Sequence, residues 1–221
     1  YYIVPSEIVK KSLMYTGADQ NRIFICPYGS YTLSGGIQNQ KHPLRNSKGP
    51  MRLLFVGNVL FLKGIHYLLE AIKNFSEDEI SLTIVGNCKY AVNDLVLVDI
   101  KVILKEFIPH EKISEIYMFA DVLIMPSLGD GYGLTVLEAM GCGVPCIVSE
   151  NTGAASIVED GLNGFKIKTH SSQEIEEKMY KLEFSKISKD FINQKVKTWE
   201  IYLFQIYNKD FSQWKKTWSK E

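Results

Sequence analysis

No apolar run in the 221 residues approaches the roughly 18 needed to span a bilayer. No excess of charge of either sign exists, because 25 Lys and Arg face 25 Asp and Glu. That balance removes the electrostatic reason to expect a nucleic-acid partner. The four cysteines, Cys26, Cys88, Cys142 and Cys146, lack the neighbouring Cys/His pair that a zinc site needs. Most lie in apolar stretches, so buried free thiols in a reducing, cytoplasmic compartment are the expectation. There is no Gly-x-Ser-x-Gly elbow, no fixed-period repeat and no signal peptide. The chain opens at Tyr1 within an apolar run and reads as a piece of a longer protein. His42, His66, His110 and His170 are scattered without ligand spacing and read as structural or solvated.

What is present is alternation. Short apolar runs occur at Leu53–Val56, Leu82–Val85, Val102–Phe107, Val122–Met125, Cys146–Val148 and Phe165–Ile167. Nearly continuous apolarity is the mark of strands buried on both faces. Between them lie helix-like stretches at Gly64–Phe75, Ala91–Val98, Glu111–Phe119, Val136–Cys142 and Ala154–Glu159. Capping boxes are expected at Ser76–Glu79, where only a turn is also open, and at Thr135–Glu138 and Ser171–Glu174. The pattern predicts an α/β fold: a Rossmann-like parallel sheet of about six strands with helices on both faces. Residues 1–49 read as the end of a preceding domain plus a linker, with Gly29 to Pro50 rich in Gly, Ser, Asn and Pro. Residues 50–186 read as the sheet domain. Residues 187–221 read as a crossover helix and tail, with aromatic residues at helical spacing over 187–214 forming a packing face.

In such sheets ligands bind beyond the carboxyl ends of the strands, so the loops there are the candidates. Gly57 closes the first strand, Asn58 follows, and Lys63-Gly64 opens a helix whose N-terminus favours an anion. Gly86 closes the second strand; alone it signals only a turn. The richest stretch runs from Pro126 through Gly129, Asp130, Gly131, Tyr132, Gly133, Leu134 and Thr135 to Glu138. Its glycines suit a phosphate cradle, and two carboxylates that accept hydrogen bonds suit vicinal hydroxyls. Together they fit a sugar nucleotide. Simpler readings stay open: Glu138 as the partner of Thr135 in a cap, on the first helical turn, and Asp130 as a turn residue before glycine.

These residues resemble glycosyltransferase family 4. That family has Val-Gly-Arg, a Lys-Gly six residues after the Gly, then Pro-Ser-x-x-Glu-Gly-Phe-Gly and Leu-Glu-Ala-Met-Ala-Cys-Gly-x-Pro. Here stand Val56-Gly57-Asn58, Lys63-Gly64, Pro126-Ser127 through Gly133, and Leu137-Glu138-Ala139-Met140-Gly141-Cys142-Gly143-Val144-Pro145. Ala120-Asp121-Val122 and Ile157 to Gly164 also fit, and Val4 to Gly29 resembles the end of that family's N-terminal domain.

The resemblance implies the C-terminal half of a GT-B fold and a retaining hexosyltransferase for polysaccharide biosynthesis. The implied donor is a UDP- or GDP-sugar, the acceptor a glycan or lipid-linked molecule. No metal and no cofactor are implied. The location would be cytoplasmic, at the inner face of a membrane where peripheral association has room. By resemblance Lys63 neutralises the diphosphate, Asp130 holds the sugar and Glu138 the ribose. Gly57, Asn58, Gly86 and the Gly131, Tyr132, Gly133, Leu134 and Thr135 backbone line the donor. Asn58 stands where the family has Arg, and Asp130 where it has Glu. Two other readings follow: a non-catalytic nucleotide-binding module, or a GT-B sugar-nucleotide epimerase, against which Leu137-Glu138-Ala139-Met140 argues.

Overall fold

The structure is a computed structural model and describes residues 1–28, 49–87, 100–106 and 108–184. Residues 29–48 of the linker, the helix expected over Ala91–Val98, Cys88, and the aromatic 187–214 pattern lie outside the described residues. No described helix is long and apolar enough to cross a membrane.

Six strands form one parallel sheet: β3 (Met51–Val56), β4 (Ile80–Val85), β5 (Lys101–Lys105), β6 (Val122–Met125), β7 (Cys146–Ser149) and β8 (Gly164–Ile167). The spatial order is β5-β4-β3-β6-β7-β8. This is a doubly wound Rossmann-like arrangement, and its strand order reverses between β3 and β6. All six expected strands are found, within two residues at each end. Strand β5 is the exception to burial: it ends the order and is largely exposed. Strands β6 and β7 are buried at every residue, as parallel strands covered on both faces should be.

Side chains alternate along each strand, so the sheet feeds two cores. Leu53 and Phe55 join Leu82, Ile84 and Ile124 against Leu68 and Ile72 of α2 (Ile65–Ile72) and Ile175 and Met179 of α5 (Ser172–Phe184). Leu54, Leu123, Met125 and Val148 face the other way. They meet Tyr117 of α3 (His110–Phe119) and Val136, Ala139 and Met140 of α4 (Leu134–Gly141). A separate βαβ unit precedes the sheet: β1 (Tyr2–Val4), α1 (Glu7–Tyr15) and β2 (Ile23–Ile25), with β1 and β2 parallel.

Several local expectations change. Ala154–Glu159 is not an α-helix; residues Gly153–Ile157 form a 3-10 turn. Its leading amides are committed elsewhere, Gly153 N to the Asp130 carbonyl at 3.0 Å and Ala154 N to the Tyr132 carbonyl at 2.6 Å. Helix α4 starts at Leu134, because Gly133 caps it in the left-handed conformation, with φ 83°. Glu138 is therefore on the second turn, not the first, and Thr135 lies inside the helix. Thr135 and Glu138 form no capping box: the Thr135 hydroxyl donates to Met125 Sδ at 3.5 Å, and Glu138 accepts from Tyr117. Ser76 and Glu79 are bonded as expected, but only around the turn before β4. Ser171 caps α5 by accepting from Glu174 N at 3.1 Å, while the Glu174 carboxylate turns to Lys168 N at 2.8 Å. Cys142 and Cys146 are free and buried, whereas Cys26 is exposed at the end of β2.

Candidate functional site

The loop after β3 and the loop after β6 meet where the strand order reverses. The first runs from Gly57 through a 3-10 turn, Phe61–Lys63, to Gly64. The second runs from Pro126 to Gly133. Leu128 N donates to the Leu62 carbonyl at 2.9 Å and stitches them together. Gly64 allows the approach: it has φ 70°, and a β-carbon there would sit 2.0 Å from the Pro126 carbonyl oxygen. Only a residue without Cβ fits. Gly86, after β4, plays the same part toward the first loop, since its β-carbon would lie 2.1 Å from the Gly57 carbonyl oxygen. Val59 N then donates to the Asn87 carbonyl at 3.0 Å.

Across this junction Lys63 Nζ donates to Asp130 Oδ2 at 2.5 Å. The two are 67 residues apart in sequence. Their side chains are only 27% and 14% exposed, so the pair is partly shielded from water and salt. The anion beside Lys63 is here the Asp130 carboxylate. Its other oxygen, Oδ1, accepts from Tyr132 N at 3.1 Å, the turn bond that an aspartate before glycine makes. The turn reading of Asp130 therefore holds.

The glycine-rich loop is held from behind. Asp130 N donates to the Asn151 carbonyl at 3.1 Å, Asn151 Nδ2 to the Leu128 carbonyl at 3.3 Å, and the Ser149 hydroxyl to the Ser127 carbonyl. Three of the loop amides, on Leu128, Asp130 and Tyr132, are therefore spent within the protein. Helix α4 begins immediately after and has no side-chain cap. Its leading amides, on Leu134 and Thr135, have no intrahelical acceptor and carry the positive end of the helix dipole. Leu134 is 48% exposed there, and Asn58, on the facing loop, is exposed.

Tyr132 points away from this opening. It is buried, its hydroxyl donates to the Tyr28 carbonyl at 2.9 Å, and its ring meets the Tyr28 ring edge-on at 5.0 Å. Burial pushes its phenol up to about 12. The Ser6 hydroxyl, which caps α1, also donates to the Gly131 carbonyl at 2.6 Å. The leading βαβ unit thus rests on the glycine loop.

Glu138 lies one turn into α4 and is half-buried. Its Oε2 accepts from the Tyr117 hydroxyl at 2.6 Å. Burial, then the negative carboxylate, raise the Tyr117 phenol far above its ordinary value. Tyr117 and Ser6 were not anticipated. One signal for Tyr117 existed: a tyrosine on the apolar face of a helix must find a polar partner when buried. Among the described residues no cluster of three or more metal-ligating groups occurs.

Lys63, Asp130, Gly57, Asn58, Gly86, Gly131, Gly133, Leu134 and Thr135 all lie at the carboxyl edge of β3, β4 and β6. Comparison with known proteins points to one family. The model for "Glycosyl transferases group 1" matches residues 36–199. A glycosyltransferase of Methanocaldococcus jannaschii is 31% identical over 118 residues, 51% of this chain and 30% of that protein. The D-inositol 3-phosphate glycosyltransferase of Paenarthrobacter aurescens is 26% identical over 169 residues, 70% of this chain and 41% of that protein. The chain thus spans less than half the length of these relatives. Among solved structures, Anabaena HepE in complex with UDP superposes with a TM-score of 0.75 at 16% identity, covering 99% of this chain and 63% of that one. Sucrose-phosphate synthase from Thermosynechococcus elongatus gives 0.74 at 20% identity, covering 99% and 58%. At such identities the likeness is one of fold, here the GT-B fold.

Proposed function

This chain belongs to the group 1 glycosyl transferases, and from that premise we propose that it is the donor-binding half of a two-domain, retaining family 4 enzyme. In this reading the full protein moves a hexose from a UDP- or GDP-sugar to a glycan or lipid-linked acceptor, at the inner face of a membrane, for polysaccharide synthesis. The acceptor site belongs to a further domain, for which the longer relatives have room.

The observation that carries the proposal is the Lys63–Asp130 pair, held across the strand-order reversal beside the start of α4, which has no side-chain cap. A diphosphate entering there meets one cation and one helix N-terminus, and it displaces Asp130 from Lys63. As the sugar–phosphate bond breaks, negative charge grows on the leaving nucleoside diphosphate. A fixed ammonium and aligned amides stabilise that charge more than they stabilise the ground state. They do so in place of a metal ion. Asp130, released from the lysine, is left to accept hydrogen bonds from the transferred sugar. Glu138 accepts from the ribose hydroxyls. The Gly131, Gly133, Leu134 and Thr135 backbone lines the sugar and phosphates, and Gly57, Asn58 and Gly86 line the far side. Tyr132 shapes the loop, since its hydroxyl is committed to Tyr28, its amide to Asp130 and its carbonyl to Ala154.

Calorimetric titration of the chain with UDP, GDP and ADP, and with their sugars, tests this directly. At least one should bind more tightly than about 1 mM; if none does, the donor site is lost. The same chain should transfer little or no sugar by itself, and measurable turnover would refute its being half of an active site. Asn58, where the family has a cation, is what favours the second reading, a non-catalytic nucleotide-binding module. Nucleotide binding without transfer by the full-length protein would select it.

A further inference from the structure

We propose that Tyr117 is a positioning residue for nucleotide recognition: its hydroxyl holds the Glu138 carboxylate where it accepts the ribose hydroxyls, and so sets the preference for ribonucleotides over 2′-deoxyribonucleotides. The proposal rests on the ribose role given to Glu138 above.

Tyr117 is fully buried between α3 and α4, in a cluster with Val136, Ala139 and Met140. A phenylalanine would fill that space equally well. The hydroxyl adds only the need for a partner, and its partner is Glu138 Oε2 at 2.6 Å, the short separation of a charge-assisted bond. Glu138 itself is half-buried. Its side chain leans back toward the start of α4, as helical side chains do. A glutamate has three rotatable bonds, and a carboxylate that must meet a vicinal diol loses that freedom on binding. The Tyr117 bond removes much of it beforehand.

Donor and acceptor inventories are compatible with both partners at once. A carboxylate has about four lone-pair positions. The phenol occupies one on Oε2 and leaves Oε1 for the diol. The phenol also stays a donor through any working pH, because burial and the adjacent carboxylate hold its proton on.

The rival account is that Glu138 serves Tyr117, merely satisfying a buried hydroxyl. The two accounts differ in what Tyr117→Phe does. The full chain and its Tyr117→Phe variant are titrated with the nucleoside diphosphate that binds best and with its 2′-deoxy counterpart, alongside a thermal melt. Wild type should prefer the ribonucleotide, and the variant should lose about fivefold to tenfold of that ratio, the scale of one typical net hydrogen bond. A variant that melts lower but keeps the wild-type ratio overturns the proposal. So does a wild type with no ribose preference, which removes the role of Glu138 yet leaves the donor site standing. A wild type that binds no nucleoside diphosphate fails the donor site itself and this proposal with it. If the variant is too unstable to titrate, the melting shift produced by each of the two nucleotides gives the same ratio without a stable free state.

Discussion

The same two strands, β3 and β6, carry an ion pair at each end, and the two pairs are built differently. At the amino ends, Arg52 Nε and Nη2 donate to the two Asp121 oxygens at 2.9 and 2.8 Å. Arg52 N adds a bond to Asp121 Oδ2 at 2.8 Å, and Asp121 N donates to the Arg52 carbonyl at 2.8 Å. The guanidinium also lies 5.1 Å from the centre of the Phe119 ring. At the carboxyl ends, Lys63 and Asp130 share one contact, made from a 3-10 turn to a glycine-rich loop. Burial does not distinguish them, because side-chain exposures are 21% and 11% for the first pair and 27% and 14% for the second. Number of bonds and backbone support do. A planar guanidinium with main-chain help locks register, whereas an ammonium is a point charge that can exchange one anion for another. The first pair reads as a staple, the second as a place held for a ligand.

Substitutions should separate the staple from the exchangeable pair. The largest effect is expected from Asp121→Ala. It removes the carboxylate that a partly buried guanidinium grips at two points and should cost about 2–4 kcal/mol in urea unfolding, with nucleotide affinity of the folded fraction kept. A loss below about 0.5 kcal/mol, the scale of a surface change, would demote the pair to a surface ion pair. Gly64→Ala should follow, at roughly 2–3 kcal/mol, from left-handed strain plus a clash with a carbonyl that cannot rotate away. Lys63→Ala should reverse the pattern, weakening diphosphate binding by about 1.5–3 kcal/mol while moving stability by less than about 1 kcal/mol. Unchanged affinity would take Lys63 out of the site. The smallest effect should come from Asp130→Asn. It frees Lys63, so binding of the bare nucleoside diphosphate should tighten by less than about 1 kcal/mol. A weaker complex would mean that Asp130 supports the nucleotide rather than competes with it.

Much of the fold was legible because parallel strands covered on both faces must be apolar throughout. That is why Val122–Met125 and Cys146–Val148 stood out, and why β5, exposed at the end of the order, was the strand least like that description. The loops of the candidate site were legible for a related reason, since glycines cluster where backbone approaches backbone. Local hydrogen bonding was less so. Thr135-x-x-Glu138 has the form of a capping box. Yet Gly133 takes the cap, and Glu138 finds an acceptor's use 21 residues away at Tyr117. Ala154–Glu159 looks helical by composition, but its first amides are claimed by the carbonyls of Asp130 and Tyr132.

Periodicity and glycine placement, which are properties of neighbouring residues, determined by themselves the strand–helix alternation, the depth of β6 and β7, and the loops worth watching. Which loops face each other was decided only by the strand order, because hydrogen bonding between β3 and β6 brings Lys63 and Asp130 together from 67 residues apart. A residue's type records what bonds it can make. Where those bonds go depends on which strands end side by side, and the whole sheet settles that.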